Sequence, residues 1–334
     1  MRRMTMIAVL VICAGTALLC APFIGMETIS PRDLFRPGSE GFKPEIFFMI
    51  RLPRVITAFI AGAGLALSGM TFQALFRNPL ATPFTLGVSS GASFGAALAM
   101  RTGIVFTFLG MSSLSLSAFM GALLSILLVY GLTRARRGFS TATMLLAGVA
   151  VSFLFSSIIL FIQYMSDFTH SFRILRWLMG GLEIVGYAPL VTMLPFVIAG
   201  AAIVTLMSNE LNLMMTGEDI ALSRGVDVKN VKRILFFATS LMIGGIVSVC
   251  GPIGFIGMMS PHICRLLVGT DHRVLAPAAV LFGGMFLVVC DMIARTVIAP
   301  AEIPVGVITA LLGGPFFLWL LLSGVSERGV FARV

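Results

Sequence analysis

Ten long apolar runs separated by short polar breaks dominate this chain. The hydrocarbon core of a bilayer is about 30 Å thick, so an apolar helix of about 20 residues can cross it. The third and eighth runs are too short to span alone, and short helices at membrane depth need protein or a cavity over their ends. The sequence therefore predicts an all-α membrane protein with ten transmembrane helices, in one polytopic domain that covers residues 1–334. The predicted segments are 5–24, 52–76, 86–100, 113–133, 140–165, 188–208, 231–251, 258–268, 274–297 and 304–323.

Composition supports lipid as the solvent. Hydrophobic residues make up 58% of the chain and charged residues 11%, whereas soluble domains carry roughly 25% charged residues. The net charge of +9 does not indicate nucleic-acid binding, because the cations are spread over the breaks between apolar runs, as topology signals are. The five cysteines and three histidines are scattered, and their spacing predicts neither a disulfide framework nor a metal site.

The cations also predict an orientation. Ten crossings leave both termini on one side, and the positive-inside tendency makes that side the cytoplasm. The cations placed inside are Arg2, Arg3, Arg134, Arg136, Arg137, Lys229, Lys232, Arg233, Arg273, Arg328 and Arg333. Those placed outside are Arg32, Arg36, Lys43, Arg51, Arg54, Arg173 and Arg176. So many external cations run against the rule and require a function.

Small residues at four-residue spacing predict close helix packing. Gly87, Gly91 and Gly95 form one such series, and Ala58, Gly62 and Ala66 another; this spacing lets helix backbones approach each other in lipid. Residues 68–95 form a pattern of a helix, a polar break with proline and a glycine-rich helix. The same pattern recurs in residues 257–284. Because one copy would start outside and the other inside, the sequence predicts an inverted-topology repeat.

Residues 217–225, Gly-Glu-Asp-Ile-Ala-Leu-Ser-Arg-Gly, form a polar island between two apolar runs. Glycines bracket the island, and Ala221 and Leu222 give it a small apolar face. We expect a short helix on the cytoplasmic surface that a partner outside the membrane binds. The sequence has no GxxxxGK[ST] phosphate loop, so if ATP powers the protein, another chain must bind the nucleotide.

The sequence gives less support to two other classes of function, a secondary carrier and an intramembrane hydrolase. Asp291 and Arg295 are four residues apart on one helix and can pair, and Glu302 lies in a short break. None of these charges stands alone at mid-membrane, as the buried carboxylate of a proton-coupled carrier would, so a secondary carrier is the weaker hypothesis. Ser68 and His262 suggest an intramembrane hydrolase only superficially, because no oxyanion element accompanies them.

Several stretches resemble the FecCD permeases, the membrane subunits of type II ABC importers for cobalamin, haem and ferric siderophores. The resemblance runs in order from about residue 51 to residue 323. The matching blocks are Arg51-Leu52-Pro53-Arg54, residues 73–81 with Pro83 and Leu86-Gly87, residues 146–150, residues 177–182, residues 251–257, Pro261-His262 with Arg265, Asp271-His272-Arg273, and residues 302–306 with Gly313-Gly314-Pro315.

The resemblance implies roles for three sets of residues. The segment at about 210–230 is similar to the family's ATPase-coupling segment of two short helices; Arg224 departs from the leucine that is common there. Its site residues are Gly217, Glu218, Asp219, Ala221, Leu222, Arg224 and Gly225. Arg51, Arg54 and Arg295 match arginines that dock the solute-binding protein. Thr141 and Ala142 match the cytoplasmic gate. Relatives often have a second polar residue where this chain has Ala142, so the resemblance implies a more apolar gate here.

The resemblance also implies an assembly and a mechanism. The permease would be a homodimer with the path between its copies, two ATP-binding subunits below and one periplasmic solute-binding protein above. ATP and Mg²⁺ would be bound by the ATPase subunits, and this chain would bind no cofactor and catalyse no reaction. The cargo would be a ferric siderophore, haem or cobalamin, moved inward by alternating access. Another cargo on the same scaffold, such as molybdate, is the alternative.

Overall fold

The computed structural model describes residues 2–25, 27, 29–30, 32, 42–82, 84–108, 110–135 and 140–322. Long helices dominate this part of the chain. The helices are α1 (Arg2–Cys20), α2 (Phe42–Glu45), α3 (Leu52–Leu75), α4 (Val88–Thr102), α5 (Ser113–Ala135), α6 (Thr141–Tyr164), α7 (Phe168–Leu178), α8 (Ala188–Leu206), α9 (Ser208–Met215), α10 (Glu218–Ser223), α11 (Val228–Cys250), α12 (Ile256–Val268), α13 (His272–Ala294) and α14 (Val305–Leu322).

Shorter elements complete the described chain. A π-helical stretch, Ile46–Arg51, continues α2 into α3, and 3-10 turns lie at Ala21–Phe23 and Phe84–Leu86. Strands β1 (Thr107–Phe108) and β2 (Met111–Ser112) form a two-stranded antiparallel hairpin that the sequence did not predict. With only two residues in each strand, the hairpin leaves the all-α character unchanged.

A helix occupies each of the ten predicted segments. Within the described residues, seven helices are long and apolar enough to cross a membrane. The third and eighth segments form the short helices α4 and α12, of 15 and 13 residues, as their apolar lengths predicted. The protein is therefore a multi-pass membrane protein, while the count of ten crossings and the inverted repeat stay predictions.

Side-chain caps decide where several helices begin. The Ser140 hydroxyl accepts from the Thr143 backbone N–H at the start of α6, and Asp167 and Asp271 cap α7 and α13 in the same way. The predicted segment at 231 starts three residues earlier, at Val228, because Asp227 accepts a hydrogen bond of 3.1 Å from the backbone N–H of Asn230. A cap supplies a partner for an N–H that has none within the helix, so the helix extends beyond its apolar core.

Helix α3 is the centre of the bundle, and most of its residues are buried. Glycines allow its backbone to touch its neighbours: a Cβ at Gly62 would overlap the carbonyl oxygen of Gly283 on α13, and one at Gly69 would overlap that of Gly257 on α12. Likewise, a Cβ at Gly91 would overlap the Gly121 carbonyl oxygen, which joins α4 to α5. The predicted close packing at the glycine series is confirmed.

The bundle has two ends, which we define by their residues. The inner end holds α9 and α10, the turn before α13, and Arg3, whose guanidinium lies close to Gly269. The outer end holds the Ala21–Phe23 turn, Arg51 and the link between α13 and α14. Helices α3 and α13 run from one end to the other and connect the two.

Replacing Gly69 with alanine should destabilise the protein more than any change at a loosely packed glycine. The new methyl group would overlap the backbone of α12, which cannot move aside as a side chain can, and overpacking typically costs about 1–3 kcal/mol. The control is Gly131→Ala on α5, where nothing lies within 4 Å of the added Cβ. Thermal unfolding of the detergent-solubilised protein measures both, and equal midpoints would contradict the proposed packing.

Candidate functional sites at the two ends of the bundle

The predicted coupling segment consists of two short helices, α9 and α10, at the inner end. Gly217 lies between them with φ +128°, and Gly225 follows α10 with φ +84°. These positive φ values favour glycine, because a Cβ strains that backbone region. The two glycines therefore set the corners at which the chain enters and leaves α10.

One face of α10 is open. Ile220 and Leu222 are 48% and 56% exposed, and Asp219 and Arg224 are exposed beside them. Ala221, in contrast, is completely buried. The prediction that Ala221 contributes to an exposed apolar face is wrong, because its side of α10 packs into the core while its backbone oxygen accepts a 3.0 Å hydrogen bond from Val226.

Polar contacts fasten these short helices to two membrane helices. The Lys232 ammonium of α11 donates to the Glu218 carboxylate at 2.6 Å. Asn212 of α9 donates to Asp271 at 2.8 Å and accepts from the His272 backbone N–H at 2.9 Å. The hydrogen bond from Asn212 is the main reason that the pKa of Asp271 is lowered. The segment is thus bound to the first turns of α11 and α13.

Asn212 was not predicted as a site residue. A possible signal was its position as a polar residue in the apolar stretch of residues 211–215, combined with the Asp271-His272 pair that starts the next long helix but one. Neither feature alone identifies a contact between residues 59 positions apart. Arg273 belongs to the Asp271-His272-Arg273 block that resembles the family. It donates a further hydrogen bond to Asn209, which lies on α9 together with Asn212.

A second polar contact holds the inner ends of α3 and α12 together. Arg265 donates to the side-chain oxygen of Gln73, and the Gln73 amide donates to the backbone oxygen of Met258 at 3.3 Å. Gln73 is buried. A buried amide needs such partners, since unpaired polar groups are costly in an apolar environment.

The three predicted docking arginines lie together at the outer end. Arg54 donates through Nε to Asp291 Oδ1 at 2.9 Å and through Nη1 to Glu302 Oε2 at 2.8 Å. Arg295 has its Nε 3.6 Å from Asp291 Oδ2, which confirms the predicted pair on α13. We call Arg51, Arg54, Arg295, Asp291 and Glu302 the arginine cluster.

The arginines of this cluster are buried and occupied. Arg54 is 7% exposed, and Arg51 and Arg295 are buried to a similar extent. Arg51 donates to the backbone oxygen of Glu27 at 2.6 Å, and Arg295 to that of Ala21, also at 2.6 Å. They do not project freely into solvent, as exposed steering charges would. Their docking role stays a prediction, and it must act through a cavity of about 260 Å³ that all three arginines and Glu302 line.

The predicted gate residues are at the start of α6. Thr141 is its first residue and is partly buried, while Ala142 is exposed. Ser140 precedes them, and its hydroxyl accepts from the Thr143 backbone N–H at 3.2 Å, so α6 is capped immediately before the predicted gate residues. The rest of the predicted basic loop, with Arg136 and Arg137, lies outside the described residues, as do Arg36, Pro83, Arg328 and Arg333.

Nothing in the described ranges resembles a metal centre: no group of three or more His, Cys, Asp and Glu side chains is placed to hold an ion. The three cysteines of the core, Cys250, Cys264 and Cys290, are buried and free. The polar contacts described at the two ends are hydrogen bonds and ion pairs, which can bind and orient partners.

Comparisons with known proteins agree with this architecture. A model of the FecCD transport family matches residues 9–323. The chain is 40% identical over 324 residues to the vitamin B12 import system permease protein BtuC of Escherichia coli O1:K1 / APEC, which covers 96% of this chain and 95% of that protein. It is 38% identical over 310 residues to the hemin transport system permease protein HmuU of Yersinia pestis, covering 91% of each.

Two further matches extend the likeness. The ABC transporter permease protein YvrB of Bacillus subtilis strain 168 is 41% identical over 288 residues, which is 85% of this chain and 80% of that protein. A solved structure of a metal-chelate type ABC transporter in an inward-facing conformation superimposes with a TM-score of 0.85 at 30% identity, over 96% of this chain and 99% of that one. The likeness covers nearly the whole bundle.

Replacing Arg54 with leucine should lower the free energy of unfolding by about 3 kcal/mol, because the buried Asp291 then loses its hydrogen-bonded cation and keeps only the longer contact to Arg295. Asp291 has no exposed surface. The double variant Arg54→Leu/Asp291→Asn should recover part of this loss, since it removes the stranded carboxylate charge but also takes the carboxylate partner from the buried Arg295. Denaturant unfolding of the purified variants measures the cycle, and strictly additive losses would show that the two groups are not coupled.

Proposed function

The chain belongs to the FecCD transport family and is a multi-pass permease of the ABC importer class, and on that premise we propose that it imports a bulky metal chelate. The cargo class comprises haem, ferric siderophores and cobalamin, and the energy comes from ATP hydrolysed by two partner subunits that bind ATP and Mg²⁺. The permease lies in a bacterial inner membrane with both termini in the cytoplasm. It binds no cofactor itself.

The open face of α10 is the observation that supports this proposal most. A short helix with glycine corners, exposed Ile220 and Leu222, and charged Asp219 and Arg224 suits insertion into a cleft of a cytoplasmic ATPase. Apolar anchors surrounded by polar residues are the usual composition of a docking surface. Ala221 contributes by packing α10 onto the bundle, not by touching the partner.

The contacts of Asn212 and Lys232 give this docking surface a mechanical consequence. Because Asn212 binds the start of α13 and Lys232 holds Glu218 from α11, a displacement of α9 and α10 by the ATPase acts directly on two membrane helices. Helix α13 has 23 residues and so extends about 34 Å. Alternating access then follows from movement of whole helices.

At the outer end, the solute-binding protein docks over the arginine cluster. The buried position of Arg51, Arg54 and Arg295 favours short-range recognition of carboxylates that enter the cavity over long-range steering. Charge-assisted hydrogen bonds between guanidinium and carboxylate are stronger than neutral ones, and a cavity mouth restricts which carboxylates can reach them. Docking of this kind orients the binding protein above the path.

We place the path between two copies of the permease, a homodimer, with Thr141 and Ala142 at its inner gate. Exposed apolar side chains on α6, including Leu146 and Phe153, are also what lipid contact would produce, so the dimer is inferred from the family and not from these faces. The path itself holds the chelate loosely, and specificity lies mostly in the binding protein.

The alternatives are importers of another cargo on this scaffold, such as molybdate, and a secondary carrier. Uptake by the permease, reconstituted in proteoliposomes with its ATPase and its binding protein, separates them. Uptake is measured with ATP supplied inside or outside the vesicles, and separately with an imposed proton gradient and no ATP. The cargoes tested are haem, a ferric siderophore, cobalamin and molybdate. We expect ATP-dependent uptake of one of the chelates. Uptake driven by the proton gradient without ATP would refute the proposal.

Replacing Leu222 with glutamate should weaken binding of the ATPase subunit about tenfold or more, which corresponds to about 1.4 kcal/mol. A charge would have to be desolvated in the docking cleft, while the fold should be unaffected because Leu222 is exposed. Lys229→Glu is the matched control, exposed on the first turn of α11 outside the two short helices. Affinity is measured by co-purification and by titration in nanodiscs, and equal affinity of both variants would contradict docking through α10.

Replacing Asn212 with alanine should uncouple ATP hydrolysis from transport without dissociating the ATPase subunit from the permease. The ATPase should still bind, but uptake per ATP hydrolysed should fall several-fold, because α9 would lose its hydrogen bonds to Asp271 and His272. Asn230→Ala is the control, since Asn230 contacts only its neighbours Asp227 and Arg233 in the described hydrogen bonds. Parallel assays of ATP hydrolysis and uptake decide the question; an unchanged ratio in the Asn212 variant would overturn the coupling role.

A further inference from the structure

The two carboxylates that bind Arg54 differ in how firmly they are held. Asp291 has no exposed side-chain surface, and it lies between Arg54 and Arg295. The Glu302 side chain is 32% exposed. A fully buried carboxylate cannot leave its cations without a large desolvation penalty, whereas a partly exposed one can return to water at little cost. Arg54 therefore has one permanent partner and one exchangeable partner.

The position of Glu302 makes this exchange sterically possible. Glu302 lies in the non-helical link between α13 and α14, so its backbone is not fixed by helical hydrogen bonds. It lines the 260 Å³ cavity of the arginine cluster and also a neighbouring cavity of about 490 Å³ that includes Pro300, Ala301 and Pro304. The Glu302 side chain, already 32% exposed, therefore has space into which it can turn when it leaves Arg54.

Arg54 and the carboxylate that occupies one of its donors, Glu302, both line the cavity. The Arg54 Nη1 is bound to Glu302, while its Nε is bound to Asp291. A carboxylate that enters the cavity from another protein would meet Glu302 before it could take that donor. The incoming group and Glu302 have the same charge and the same hydrogen-bonding geometry, so the two compete for one site.

We propose that Glu302 is a built-in competitor, an intrachain carboxylate that occupies Arg54 until a carboxylate of the solute-binding protein replaces it. This inference rests on the proposed docking at the outer end and adds its regulation. With no partner bound, Glu302 keeps the buried guanidinium paired. When the solute-binding protein is bound, the Glu302 side chain leaves Arg54. Its return to Arg54 favours dissociation of the binding protein. The permease therefore binds that protein firmly enough to receive cargo but does not retain it.

The test uses the permease with its ATPase in nanodiscs and the fluorescently labelled solute-binding protein of the same transport system. Glu302→Gln should lower the Kd at low salt at least about threefold, because the competing charge is removed while Arg54 remains. Glu302→Ala should shift the Kd in the same direction. The matched control is Asp167→Asn, which removes one exposed carboxylate charge at the start of α7 and lines neither of the two cavities.

Two outcomes would count against the inference, and they are distinguishable from failure of the docking proposal. Arg54→Gln should weaken binding; if it does and both Glu302 variants bind as the unmodified protein does or more weakly, Glu302 is only a structural partner and the competitor is refuted. If Arg54→Gln leaves the Kd unchanged as well, docking at this cluster is refuted with it. Thermal unfolding of each variant confirms that the compared proteins are folded.

Discussion

The close approach of backbones around α3 is the constraint on which the rest of the structure depends. Lipid offers no hydrophobic driving force between helices, so association relies on close packing and polar contacts. Glycines at positions 62 and 69 bring α3 against α13 and α12 with no side chain between them. That closeness places Arg54 beside Asp291 at the outer end and Gln73 beside Arg265 at the inner end. The packing thus determines both polar contacts.

Helix α13 joins the two candidate docking sites. Its first residue, His272, is hydrogen-bonded to Asn212 of the predicted coupling segment at the inner end. Asp291, in its last turn, binds Arg54 of the arginine cluster at the outer end. Packed interiors deform little and transmit strain, so the close packing of α13 against α3 links its two ends, with Pro277 near its start as the point at which α13 can bend. An ATPase acting on α9 and a binding protein acting on the arginine cluster would then act on the same element.

Particular residues show what the sequence could predict. The membrane helices were predictable because an apolar run marks each of them, and the close packing because small residues recur at the spacing of one helix face. Helices α2 and α7 lie outside the predicted segments, because neither is a long apolar run. The start of α11 was misplaced, since the cap at Asp227 lies outside the apolar run. Ala221 was assigned to the wrong face because a six-residue helix has too little periodicity to show its orientation. The burial of Arg54 and the Asn212 contact depend on partners more than 50 positions away, which local pattern cannot identify.

We expect the predicted coupling segment and α13 to move together. The distance between one spin label on the coupling segment and another on the turn before α13 tests this central claim most directly. Labels at Ser223→Cys and Thr270→Cys, both exposed positions, are introduced after replacement of the exposed Cys13 and Cys20. In the proposed complex of two permease copies with the ATPase, the Ser223–Thr270 distance within one copy should stay constant through ATP binding and hydrolysis, while the Ser223–Ser223 distance between the copies changes. A change in the Ser223–Thr270 distance comparable to that between the copies would contradict the account.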